Sequence, residues 1–330
     1  MSRGTQVFII RKVLEVILTV LIVTMISFGL MKLSPVDAAT AYLQRNQTPV
    51  TTENLERVRS EMGLDQPLTV QYWDWLKDAV QGDFGKSYVN NKAVLPQELS
   101  AFSFTARVIF LAGLLEAVLI ILIGCLCYLC RNRISVHLIS ALCFAAISIP
   151  PFFLASQYID VITVKMGLGS VVGNTGLMRF LPAALCFVPG TSAFFGPLFA
   201  TNIAAQMSLD SADYARCRGL SEKRILLCHA VPSALISIIP SFFQMLALNL
   251  AGAIVIEQIF SIPGLGYLIL SGVTNRDPPV IHATILLLAL SLSLFNILAD
   301  VIRRVISHSI NMAAFIHSLI LFGLLPLNNK

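Results

Sequence analysis

The chain has 330 residues, of which 56 % are hydrophobic and only 12 % charged, and its mean hydropathy is +0.78. A soluble globular domain carries about 25 % charged residues, so the composition excludes one and places the chain in lipid. The net charge of +5 collects near the ends of apolar runs, where it bears on membrane orientation rather than on nucleic-acid binding.

Arg3, Arg11 and Lys12 precede a first apolar run at 13–31. That run is 19 residues long and has no small-residue cleavage site, which predicts a retained signal anchor. Further apolar blocks follow at about 105–130, 137–164, 180–203, 233–256 and 282–302, each near the ~20 residues that cross ~30 Å of hydrocarbon. Lipid permits only helices or closed barrels, and continuous apolar runs without period-two alternation select helices. The expected fold is all-α: a polytopic membrane protein of about six transmembrane helices.

Between the first two spans lies a long polar segment, 32–104. Thr52 is placed to cap a short helix, Glu53 suits its positive first turn, and Gly63 can end it in a left-handed conformation. The stretch GLDQPLTVQYWDWLKDAVQGDFGKSY then sets Tyr72, Trp73, Trp75, Leu76 and Val80 in an amphipathic pattern interrupted by Gly82 and Gly85. A small folded cap and an interfacial helix, where Trp and Tyr rings are at home, both fit.

Basic residues set the orientation. With the N-terminus inside, the short inner segments hold Arg3, Arg11, Lys12, Arg131, Arg133, Arg216, Arg218, Lys223, Arg224, Arg303 and Arg304, against Lys165, Arg179 and Arg276 outside. Eleven against three predicts a cytoplasmic N-terminus and an extracytoplasmic 32–104 segment. Residues 105–305 form a five-helix core, and 306–330 an apolar tail too short for an ordinary span, read as interfacial or re-entrant.

Motifs for chemistry are missing. GDFGKS at 82–87 has Val80 where a phosphate-binding loop needs its first glycine, so this chain is not expected to bind ATP. Cys125 and Cys127 point about 200° apart on a helix, which reads Cys125, Cys127 and Cys130 with His137 as packing residues and not a metal site. The polar segment 32–104 contains no cysteine, so no disulfide framework is expected. Neither HExxH nor GxSxG occurs. Polar residues inside the spans are costly and face a cavity or a partner: Glu116, Gln244 and Asn249 are candidates for a translocation path, as interhelical hydrogen bonds are the alternative, and Asp160, Lys165 and Asp300 sit nearer span ends.

The strongest local signal is the inner segment DYARCRGLSEKRILLCHAVPSAL. Gly219 breaks one short helix, Ser221 is placed to cap the next, Ile225, Leu226 and Leu227 make that second helix amphipathic, and Pro232 marks re-entry into the membrane. A helix pair lying on the membrane surface can dock into another protein's groove, and a solvated connecting loop fits as well.

Asp213, Tyr214 and Ala215, three residues, Gly219, nine residues, then His229, Ala230, Val231 and Pro232 resemble the EAA loop of ABC importer permeases. GLSEKRILLCHAVPSAL is similar to the version in the peptide/nickel permease family. GLDQPLTVQYWDWL with GDFGKSY, and IVIEQIFSIPGLGYLIL with NRDPPVIHA, agree with it too, so the resemblance covers about residues 5–305.

The resemblance implies a type I ABC importer permease fold in a bacterial plasma (inner) membrane, with the EAA loop at 204–232. It implies coupling to an ATPase through Asp213, Tyr214, Ala215, Arg216, Gly219, Leu220, Ser221, Glu222, His229 and Pro232. The implied partners are a second homologous permease, two cytoplasmic ATPase subunits that hold the ATP and Mg, and an extracytoplasmic binding protein. No cofactor or resident metal is implied for this chain, which would not itself be an enzyme.

The chain departs from the family pattern in places. Asp213 and Tyr214 replace the Glu and first Ala, and the loop before Gly219 reads a few residues shorter than in relatives, which predicts a shortened first coupling helix. The tail 306–330 is unlike that of relatives. The stretch VDAATAYLQRNQTPVTTENLERVRSEMGLDQP leans in its spacing towards nickel or a metal chelate as cargo, with di- or oligopeptide second. A secondary transporter would show internal repeats, and 1–165 and 166–330 show none evident.

Overall fold

A computed structural model describes residues 3–33, 37–131, 134–167 and 176–321. Arg133, one of the inner basic residues, and the end of the tail at 322–330 lie outside them. Among the described residues every regular element is helical, apart from an isolated bridge between Lys86 and Ala93. In chain order these are α1 (Arg3–Lys32), α2 (Ala38–Arg45), α3 (Thr52–Glu61), α4 (Leu68–Val80), α5 (Val94–Leu129), α6 (Ile134–Ile147) and α7 (Pro151–Gln157). Then come α8 (Leu181–Met207), α9 (Asp210–Cys217), α10 (Glu222–Ile225), α11 (Val231–Ile259), α12 (Leu265–Asn275) and α13 (Pro278–Leu321).

Among the described residues five helical stretches are long and apolar enough to cross a membrane: Gln6–Lys32, Val94–Leu129, Leu181–Met207, Glu222–Ile259 and Pro278–Val305. α5 starts at Val94 and not near 105; its 36 residues make about 54 Å at 1.5 Å per residue, so one end projects well beyond the hydrocarbon. The expected third span is broken. α6 stops at Ile147 and α7 starts at Pro151, because Pro150 and Pro151 withdraw backbone donors and exclude helical geometry in the residue before them. The second arm ends as a π-helix, Tyr158–Lys165, whose wider turn brings Lys165 Nζ to 2.6 Å from Asp160 Oδ2. α13 continues without a break to Leu321, through much of the tail read as interfacial or re-entrant.

The chain divides into two compact units. The first comprises residues 1–115, 149–188 and 248–293. In it the segment after α1 is a folded cap with its own small core of Ala39, Leu43 and Val58. Thr51, and not Thr52, is the N-cap of α3: its hydroxyl accepts from Asn54 N at 3.3 Å. α4 then packs on α1 through Tyr72, whose hydroxyl lies 3.1 Å from Thr24 Oγ1 and whose ring meets Phe28 edge-on. Phe28 stacks on His282 at 3.8 Å, and His282 Nδ1 shares a 2.7 Å hydrogen bond with Ser27 Oγ. Thus α1, α4 and α13 are held by buried polar pairs wrapped in aromatic rings.

The second unit comprises residues 116–148, 189–247 and 294–330. Its core runs from Ile120 on α5 and Phe195, Phe199 and Ile203 on α8 to Val231, Ala234 and Ile238 on α11. The α5–α8 approach is close: a Cβ on Gly124 would lie 2.4 Å from Phe199 Cδ1, so only glycine fits. Small residues at such crossings let membrane helices gain dispersion contacts, which drive association where no hydrophobic effect operates.

Candidate functional site

In the second unit a loop of short helices joins α8 to α11. α9 carries Asp210 and Asp213 in its first turn and Arg216 in its last, each sign suited to the helix dipole there. The chain then turns at Gly219, φ +78°. Leu220 N donates to Ala215 O at 3.2 Å and Gly219 N to Arg216 O at 2.9 Å, the paired bonds of a left-handed helix stop that favours glycine. Ser221 begins α10 in extended geometry, although its hydroxyl makes no capping bond. α10 is four residues long and runs into a π-helical turn, Leu226–Ala230, that contains His229, before α11 begins with Pro232 as its second residue.

Burial divides the loop into two faces. Ala212, Ala215, Ile225, Leu226 and Ala230 are buried against Ile203 and Met207, with Leu220 packed at the edge. Asp213, Tyr214, Ser221, Glu222, His229 and Pro232 face outward. Tyr214 is 67 % and Leu227 62 % exposed, large apolar surface on an otherwise charged face. Of the residues the sequence singled out, Ala215 therefore packs inward and Arg216 is half-buried. Arg216 Nε donates to Glu222 Oε1 at 2.6 Å and Nη1 to Asp213 Oδ1 at 2.5 Å. Glu222 first, and Asp213 second, bind its proton more firmly than usual.

Of the path candidates, Glu116 and Asn249 are buried and Gln244 is exposed. Among the described residues no three His, Cys, Asp or Glu side chains stand where they could share a metal ion.

The first unit holds a polar site that the sequence reading missed. Glu257, fully buried near the end of α11, accepts from Thr105 Oγ1 at 2.5 Å, Gly266 N at 2.7 Å and Tyr267 N at 3.3 Å. Thr105 Oγ1 in turn accepts from Leu265 N at 2.8 Å. α12 begins after Gly264, which has no side chain to cap it, so Glu257 and Thr105 satisfy its first three donors from outside. Its other end is tied as well: Arg45 donates to Tyr88 O at 3.0 Å and to Asn275 O, and Asp277 accepts from Ser87 Oγ at 2.5 Å and Tyr88 N at 3.0 Å. Burial first, and Asp277 second, push the Tyr88 phenol up to about 12. The signal available in the sequence was an acid inside an apolar run, at Glu257 and also at Glu98, whose Oε1 accepts from Thr284 Oγ1 at 2.7 Å.

Residues 94–312 match the family described as binding-protein-dependent transport system inner membrane component, and residues 5–109 match its N-terminal companion. The chain belongs to this permease family. It is a multi-pass inner-membrane protein, and permeases of this kind serve ABC importers together with ATPase and binding-protein partners. The permease is 30 % identical over 303 residues to the glutathione transport system permease protein GsiC of Escherichia coli (strain K12), covering 92 % of this chain and 98 % of the relative. The same figures hold for GsiC of Shigella boydii serotype 4 (strain Sb227). In fold, the permease resembles the inward-facing MetNI methionine ABC transporter, CY5 native crystal form, with a TM-score of 0.52 and 18 % identity over 63 % of this chain and 95 % of that one. Membership of the peptide/nickel permeases, expected from the pattern ending at Pro232 and the stretches around it, holds.

Proposed function

We propose that this permease imports a short peptide, with the loop at 204–232 as the seat of a separate ATPase subunit. The observation that carries the reading is the loop's two-faced construction: an apolar underside anchored in the core and an outward face that pairs Tyr214 and Leu227 with charged groups. Such a surface suits a protein groove better than bulk water.

The full assembly in this reading has two homologous permeases, two cytoplasmic ATPases that bind ATP and Mg, and an extracytoplasmic binding protein that delivers cargo. The basic-residue asymmetry supports a cytoplasmic N-terminus. ATP hydrolysis by the partners would move the loop and so alternate access to the path; this chain contributes no catalytic group.

Peptide cargo is supported by 30 % identity to permeases named for glutathione, a tripeptide. Nickel or a metal chelate, expected from the spacing at 36–67, has that spacing alone in its favour and becomes the second reading. Reconstituted with its cognate partners, the permease is expected to take up labelled glutathione or a dipeptide in an ATP-dependent, saturable way that nickel chelates do not compete. Nickel uptake indifferent to excess peptide would overturn the peptide reading in favour of the metal.

A further inference from the structure

We infer that Arg216 is the positioning residue that holds the docking face in shape and is not itself a docking contact. This rests on the docking reading of the loop given above. One guanidinium reaches three elements. Nε and Nη2 fork onto the two carboxylate oxygens of Glu222 on α10, at 2.6 and 3.3 Å. Nη1 meets Asp213 on α9 at 2.5 Å. Nη2 also donates to Met207 O, at the end of α8, at 3.2 Å. A lysine has no such fork and could serve only part of this set.

The bridge matters because it joins α9 to α10 on the exposed side, opposite the buried underside. The turn between them passes through Gly219, around which a Cβ would meet nothing within 4 Å, and α10 is one turn long. Ile225 and Leu226 anchor the underside, while Arg216 closes the top. A lone exposed ion pair adds little, but a bidentate network of several charges is the exception. Arg216 is also the least exposed member, at 35 % against 66 % for Asp213 and 63 % for Glu222. A partner approaching here meets the acids, with Arg216 behind them.

The test compares Arg216→Ala, Arg216→Lys and Glu222→Gln in the permease complex, with Arg218→Ala as a control for charge loss near the turn. Two quantities are read: hydrogen exchange of the amides at 219–226 in the solubilised permease, and ATPase retained on purification together with its KM for ATP. Arg216→Ala is expected to speed exchange about tenfold or more, to reduce ATPase retention, and to leave the KM for ATP of the retained ATPase unchanged. Arg216→Lys restores part of both readouts, Glu222→Gln mimics Arg216→Ala without adding to it in the double variant, and Arg218→Ala leaves exchange as in the parent. Exchange at the parent level in Arg216→Ala overturns the inference, even if the ATPase is lost, because Arg216 would then be a contact. Should that variant fail to insert, Glu222→Gln decides on the same readout. Faster exchange in a permease that never retains an ATPase would uphold the bridge and refute the docking reading.

Discussion

Gly219→Val is expected to cut uptake about fivefold or more while leaving the amount of inserted permease unchanged. No side chain blocks the new methyl groups, since the space around Gly219 is open; the penalty lies in the backbone. At φ +78° an L-residue pays about 1–2 kcal/mol, and a β-branched one more. Relief would come from flattening the turn, which breaks the Leu220–Ala215 bond and swings α10 off its seat. The free-energy cost corresponds to a factor of roughly 5–30 in the population of the native loop. Gly219→Asn, whose side chain tolerates the left-handed region, should keep most of the activity. Uptake assays alongside immunoblots of membranes check the pair; normal transport by the valine variant would mean that the bend has no role in coupling.

Glu257→Ala should cost more in stability than any change on the loop. It removes the acceptor for the Thr105 hydroxyl and for the Gly266 and Tyr267 amides at once, in a site with no solvent exposure. Each orphaned buried group costs about 1–3 kcal/mol, so a loss on the order of 3 kcal/mol or more is expected even without additivity. The start of α12 would then fray. Thermal unfolding in detergent should shift to clearly lower temperature, with new protease cleavage close to Tyr267. Glu257→Gln keeps one carbonyl acceptor and turns its amide towards another donor, so it should fall between. An unchanged melting curve for the alanine variant would mean that α12 is capped by other means.

Much of this architecture is written locally in the sequence, and the parts that are not share a physical cause. Apolar runs of about 20 residues announce the spans because lipid imposes a single length scale. Gly219 announces the bend because the left-handed region is nearly closed to other residues. The interruption of the third span was legible in Ser148-Ile149-Pro150-Pro151, but the run of apolar residues around it hid the break. α5 extends 11 residues before the expected start because its polar first turns are supported by tertiary contacts: Glu98 reaches Thr284, 186 residues away. The Glu257–Thr105 pair, separated by 152 residues, has no periodicity to betray it. Cap placement slipped by one residue, from Thr52 to Thr51, because adjacent threonines are chemically equal and only the fold decides which hydroxyl meets the Asn54 amide. Arg216 lies between these cases. Its pairing with Asp213 follows helical spacing, whereas its pairing with Glu222 exists only once the turn at Gly219 has folded the chain back.

The central claim is that the exposed face around Tyr214 is gripped by an ATPase. A photocrosslinking residue placed at Tyr214, in the complex as it exists in the membrane, tests it most directly. The account predicts a covalent adduct with the ATPase subunit, lost when Gly219 is changed to valine. Adducts formed only with lipid, or with the second permease alone, while the ATPase is present and active, would contradict it.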